Sequence, residues 1–140
     1  MNPKAVFASA RALVFGMAVF AFAPAALAAA SFDDVAASGE KGGDKMDTFA
    51  PDAPAVFIHA KFKDIASGST VTCIFIAEDT HGVAPANYKI DSVDFKVGMI
   101  ENVIDCSLSK PNGGWPVGSY RVDLAVDGNV VTNAKFVVAK

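Results

Sequence analysis

Histidine, cysteine and tryptophan are scarce in this chain: two, two and one among 140 residues. The histidines, His59 and His81, form no His-x-His pair, so nothing local points to a metal site. No serine sits in Gly-x-Ser-x-Gly, and a hydrolase has no role-bearing set of nucleophile and base. The cysteines, Cys73 and Cys106, lack the Cys-x-x-Cys spacing of a redox-active pair. The adjacent acids Asp33-Asp34 and Glu78-Asp79 would point to opposite faces of any strand, so they read as solvated charge. Basic residues are outnumbered, 12 to 15 acidic, which gives no electrostatic reason to bind nucleic acid or an anionic membrane. The chain reads as non-catalytic and calls for no cofactor.

What is present begins at the N-terminus. Lys4 and Arg11 supply positive charge, Ala12 to Ala23 is unbroken apolar or small sequence, and Pro24 ends it. Ala26-Leu27-Ala28 then offers small residues where a signal peptidase reads them. This is the layout of a secretory signal peptide over 1–28, cleaved after Ala28 with Ala30 as the second choice. No Cys follows the run, which argues against a lipid anchor. Pro24 and the Ala-rich end argue against a retained membrane span. Without Lys4 and Arg11, 10 basic residues face 15 acidic ones, and what remains allows one domain. Export places the chain in the periplasm or outside the cell.

Residues 29–54 read as a flexible tail. The stretch Glu40-Lys41-Gly42-Gly43-Asp44-Lys45 has too little apolar surface to offset its ordering entropy. The folded part is then 55–140, small enough that a covalent staple would help.

That part alternates apolar and polar residues with the period of strands. Val56, Ile58, Ala60 and Phe62 share one side of the first. Val71, Cys73, Phe75 and Ala77 share one side of the second, whose other side carries Ile74 and Ile76. Tyr88 and Ile90 are out of phase with Val93, Phe95 and Val97, which predicts a bulge at Asp91-Ser92. Ile104, Cys106 and Leu108 follow, and a terminal hairpin pairs Tyr120, Val122, Leu124 and Val126 with the run to Phe136 and Val138. Keeping that hairpin in phase calls for a three-residue loop, Asp127-Gly128-Asn129, with Val126 opposite Val130. About seven short strands and no amphipathic helix make an all-β antiparallel sandwich.

Leu108 and then Pro116-x-Gly118-x-Tyr120-x-Val122-x-Leu124 resemble the E–F corner and F strand of fibronectin type III-like and other immunoglobulin-like (Ig-like) bacterial extracytoplasmic modules. The Gly-x-Tyr-x-Val ending also resembles that of small periplasmic sandwich proteins of uncharacterised function. The sequence departs from the true Ig pattern in one respect: Trp115 follows both cysteines. The resemblance implies sheets A-B-E and G-F-C but no shared activity.

In an exported chain, Cys73 and Cys106 read first as a disulfide, with buried free thiols as the alternative. On the resemblance they fall on strands B and E, within one sheet. Trp115 is either an exposed aromatic for ligand contact or a plug over the end of the sandwich. The outward side of the A-B-E sheet would carry Phe57, Ile74, Ile76 and Val103, too apolar for water alone. Either the tail folds back over it through Phe32, Val35 or Phe49, or a second chain covers it; a protein partner or a second copy is expected, because the Gly-rich tail makes a poor permanent cover. The function that follows is a binding or interaction module. The runner-up is a small copper- or zinc-handling protein using His59 and His81, with Met46 and Met99 as further candidates. The intact mass of the exported protein should correspond to a chain starting at Ala29; a mass retaining residues 1–28 would reject the signal-peptide reading.

Overall fold

A computed structural model describes residues 29–99 and 102–140; the expected signal peptide lies outside them. Eight strands are present among the described residues: β1 (Ser31–Ser38), β2 (Thr48–Phe49), β3 (Ala55–Lys63), β4 (Thr70–Asp79), β5 (Tyr88–Lys96), β6 (Val103–Ser109), β7 (Gly118–Val126) and β8 (Asn129–Val138). They form a three-stranded sheet, β1-β3-β6, packed on a five-stranded sheet, β2-β8-β7-β4-β5. All pairings are antiparallel except β2 with β8. The expected all-β sandwich is therefore present.

The residues expected to form a tail instead belong to the fold. β1 pairs with β3, and the chain then crosses to the other sheet, where β2 pairs with β8. The apolar period of β1 is hidden by a bulge between Asp33 and Ala36, with Asp34 at φ +53°. The bulge lets Phe32 and Ala37 both face inward although their spacing is odd. Phe32 meets Phe62 edge-on at 6.5 Å, and Phe49 is buried against Phe136. Asp33 and Asp34 reach Lys63 and Lys61 on β3, each at 3.4 Å.

This extra strand shifts the topology by one. The sheets A-B-E and G-F-C implied by the resemblance exist, but β1, β3 and β6 hold the places A, B and E. β4, expected as B, holds C. Cys73 on β4 and Cys106 on β6 therefore lie in different sheets. They form a disulfide across the core, with Cα atoms 6.7 Å apart, rather than within one sheet. Both cysteines are buried among Val71, Phe75, Ile58 and Ile104 in the cluster that fills the sandwich.

The terminal hairpin also corrects its expected turn. Val126 faces Asn129, not Val130, across the two-residue turn Asp127-Gly128. Both turn residues have positive φ, +48° and +90°, which is the conformation that matches strand twist in such tight loops. Phase is recovered by a bulge at Val131: Ala125 faces Val130 and Leu124 faces Thr132. Beyond it Val122 faces Ala134 and Tyr120 faces Phe136, as the alternation predicts. The bulge in β5 is likewise real but lies one residue earlier than expected. Phe75 faces Asp91 and Ile76 faces Lys89, leaving Ile90 as the extra residue.

Gly118 opens β7 at φ +156°, where a Cβ would run into the Asp79 carbonyl oxygen. Only glycine lets β4 and β7 approach so closely there. Two residues on, Tyr120 turns its hydroxyl back to donate to the Pro116 carbonyl at 2.5 Å. This backbone-anchored tyrosine at the entry to the strand is the corner that the resemblance suggested.

Closing the 33-residue span between the cysteines should stabilise the fold by about 3–4 kcal/mol on the loop-entropy account. Urea unfolding of the Cys73→Ala, Cys106→Ala double variant against oxidised wild type measures this; an unchanged midpoint would refute it.

Candidate functional site

A hollow lies at the end of the sandwich where β4 turns into β5 and where the 110–117 loop leads into β7. Ala77, Thr80, Ala84, Tyr88, Ile90, Pro111, Trp115, Pro116 and Tyr120 line a cavity of about 160 Å³. Its floor is aromatic. Trp115 is 2% exposed and meets Tyr120 edge-on at 5.9 Å. Tyr120 stacks on Phe136 at 5.1 Å, and Phe136 meets both Phe49 and Trp115 edge-on. Such edge-on and offset contacts suit the ring quadrupoles.

Trp115 is held at both ends of its polar inventory. Its indole N–H donates to the Ala53 carbonyl at 2.9 Å and its backbone N–H to the Pro51 carbonyl at 2.8 Å. The positive φ of Gly113 and Gly114 lets the chain double back to lay the ring down. Trp115 is thus the plug of the two readings offered above. Thr80, buried beside the cavity, accepts the Ala84 N–H at 2.9 Å and so shapes the rim. Tyr88 stands half-exposed at that rim, and Val83 and Val117, on the two loops at this end, are exposed. No acid, imidazole or amine lines the cavity. Its lining suits an apolar group.

The four residues expected to share one partner face do not share it. Phe57 and Val103 lie on the outer side of the three-stranded sheet, Ile74 and Ile76 on the outer side of the other. The reason is the shift of β4 to the second sheet. Phe57 sits between Ser38 and Ser107, and Lys41 lines the hollow above it. Gly42 and Gly43 line the neighbouring hollow over His59. The chain's own segment thus lies over this face, although its larger apolar residues went to the core. Ile76 is only 8% exposed because Arg121 and Lys89 flank it on either side, and their long stems shield apolar surface.

Arg121 anchors a polar clamp on that second face. Its Nε donates to Asp123 Oδ1 at 3.0 Å, and its Nη1 to Asn87 Oδ1 at 2.8 Å and Glu78 Oε2 at 3.3 Å. Lys135 Nζ reaches Glu78 at 3.7 Å. Burial works to lower the Arg121 pKa, but Asp123 and Glu78 outweigh it and the net shift is upward. Arg121 thus ties β4, the start of β5 and β7 together through Glu78, Asn87 and Asp123.

The two histidines are not brought together as one site. His59 on β3 has its Nδ1 2.8 Å from Asp105 Oδ1 on β6, whereas His81 lies in the loop after β4 at φ +56°. Among the described residues no three His, Cys, Asp or Glu side chains gather as a metal site would need. Sequence reasoning missed the cavity because its lining comes from two stretches, 77–90 and 111–120, that meet only in the fold. The one available signal was Trp115 flanked by Gly-Gly and Pro.

No protein-family model matches the chain, and no curated protein matches it. Solved structures do. An immunoglobulin-like protein from Pseudomonas aeruginosa superposes with a TM-score of 0.54 at 11% identity, over 82% of this chain and 100% of that one. The alkylpurine DNA glycosylase AlkC of Pseudomonas fluorescens, bound to DNA containing an abasic site analogue, gives 0.51 at 11% identity over 79% of this chain. This chain spans only 30% of that enzyme. At such identities the likeness is one of fold: the molecule is an immunoglobulin-like β-sandwich. Its disulfide fits an oxidising, extracytoplasmic setting. No helix of the described residues is long and apolar enough to cross a membrane.

Burial raises the pKa of Tyr120 above its ordinary 10.0. The unfolded chain therefore ionises this phenol first. The stability it contributes is complete below pH 10 and falls as pH rises from there through the folded value. Urea midpoints measured across that range should fall more steeply for wild type than for Tyr120→Phe; parallel curves would refute the assignment.

Proposed function

We propose that this protein is a non-catalytic interaction module of the periplasm or the extracellular space, of fibronectin type III-like architecture, that seats an apolar group of a protein partner in the cavity over Trp115. One observation carries the reading: a formed cavity with an aromatic floor and a half-exposed tyrosine at its rim, and no reactive side chain in its lining. Binding sites are commonly apolar hollows of this kind, with a few polar groups fixing orientation. Exposed Val83 and Val117 extend the apolar surface at this end of the sandwich. Loops held by a rigid sandwich are where such folds place recognition. Among the described residues the metal-handling alternative has no comparable geometry behind it.

The test immobilises the mature, oxidised protein and exposes it to the extracytoplasmic fraction of its host. Ala84→Trp, which fills the cavity from the rim, and Tyr88→Ala should lose a protein that wild type retains. Val130→Ala, at the opposite end, should keep it. Identical retention by all four proteins would overturn the cavity as the site.

A further inference from the structure

Strand β5 forms one border of the five-stranded sheet. It pairs only with β4, and among the described residues no other segment takes up its outer edge. A bare strand edge is a template for another strand.

The sequence of β5 has an unusual symmetry about the Asp91–Ser92 bond. Reading outward, Asp91 and Ser92 are polar, Ile90 and Val93 aliphatic, Lys89 and Asp94 oppositely charged, and Tyr88 and Phe95 aromatic. Antiparallel pairing of two copies about a two-fold axis at that bond would set Lys89 of each opposite Asp94 of the other. Tyr88 would meet Phe95, and Ile90 would meet Val93, each contact occurring twice.

In an unbroken strand this register is forbidden, because residues paired with odd spacing about the axis face opposite sides of the sheet. The bulge at Ile90 removes the obstacle. Lys89 faces Ile76 and Asp94 faces Thr72, both on the outer side of the sheet. Tyr88 faces Ala77, Phe95 faces Val71 and Val93 faces Cys73, all on the core side, where Ile90 also packs. The pairs of Lys89 with Asp94, Tyr88 with Phe95 and Ile90 with Val93 therefore each lie on one face; Asp91, opposite core-facing Phe75, and Ser92, opposite outward Ile74, do not, so the ladder is interrupted at the axis. A regular strand from another protein would match only one half of β5, whereas a second copy carries the same offset.

We infer that two copies of this chain associate by antiparallel pairing of their β5 edges, joining two five-stranded sheets into one across the axis. The charge pairs supply the complementarity. The partly exposed apolar residues of the strand, Tyr88 at 49% and Val93 at 36%, supply surface to cover. The bulges meet at the axis, where each Ser92 N–H is already satisfied by its own Asp91 carboxylate at 2.8 Å. One strand pair is a small interface, near or below about 1,200 Å², so the dimer should depend on concentration. This reading stands apart from the proposed partner cavity, although Tyr88 belongs to both.

Sedimentation of the oxidised mature protein up to about 1 mM reads the association directly. Wild type should dimerise. Lys89→Asp places acid against acid at two symmetric positions and should weaken the dimer about tenfold or more. Asp94→Lys should do the same. Asp94 also accepts from the Thr72 hydroxyl at 2.8 Å, so its fold is checked by thermal melting and Lys89→Asp is the cleaner variant. An equimolar mixture of the two single variants should dimerise again, and so should the double variant K89D/D94K. A wild type that stays monomeric overturns the inference. A dimer indifferent to Lys89→Asp, or a double variant as weak as the singles, overturns the register. None of these readings depends on what the cavity binds.

Discussion

The structure turns on one side chain, Trp115. Its ring completes the aromatic group with Tyr120 and Phe136, its indole N–H holds Ala53, and its backbone N–H holds Pro51. The segment before β3, the loop before β7 and the end of the core are thereby fixed together. A sandwich of this size has little surplus apolar area, and a buried indole with its polar atom satisfied contributes more than a smaller hydrophobe could. The cavity is a consequence. A ring laid flat as a floor, under loops stiffened by Pro111 and Pro116, leaves a hollow above it that has no small flexible side chain to fill it.

Bulges are the second recurring device. They occur near Asp34 in β1, at Ile90 in β5 and at Val131 in β8, and a fourth irregularity separates Ala77 from Asp79 in β4. Each resets the inward face of a strand by one residue and sharpens local twist. Two, those in β1 and β5, fall on edge strands, where they also make indiscriminate pairing difficult.

The same device explains what could and could not be read in advance. β3, β4, β6 and most of β7 keep an unbroken period of two, so Val56 to Phe62, Val71 to Ala77, Ile104 to Cys106 and Tyr120 to Leu124 declare their buried sides outright. In β5 the phase reversal between Ile90 and Val93 was itself the signal for a bulge. In β1 two adjacent aspartates sat at the reversal and made a strand resemble solvated chain. Missing β1 then moved β4 to the wrong sheet, and with it the disulfide and half of the expected partner face. The hairpin shows a related error. Alternation demanded one extra residue on the returning strand but was silent on whether the turn or the strand should hold it. Asp127 tolerates a left-handed conformation, which favoured the tight turn. The cavity was legible only as a tryptophan among turn residues, because its walls come from two stretches, 77–90 and 111–120, that the sandwich brings together at one end.

The bridge between Cys73 and Cys106 has a consequence for how the molecule matures. Two cysteines permit a single intramolecular pairing, whereas four would permit three. Oxidation cannot trap this chain in an internal isomer, so forming its native bridge calls for an oxidant and no reshuffling. Because the two sulfurs belong to opposite sheets, they meet natively only as the layers dock. The competing product is a link between separate chains formed before that docking, and dilution alone suppresses it.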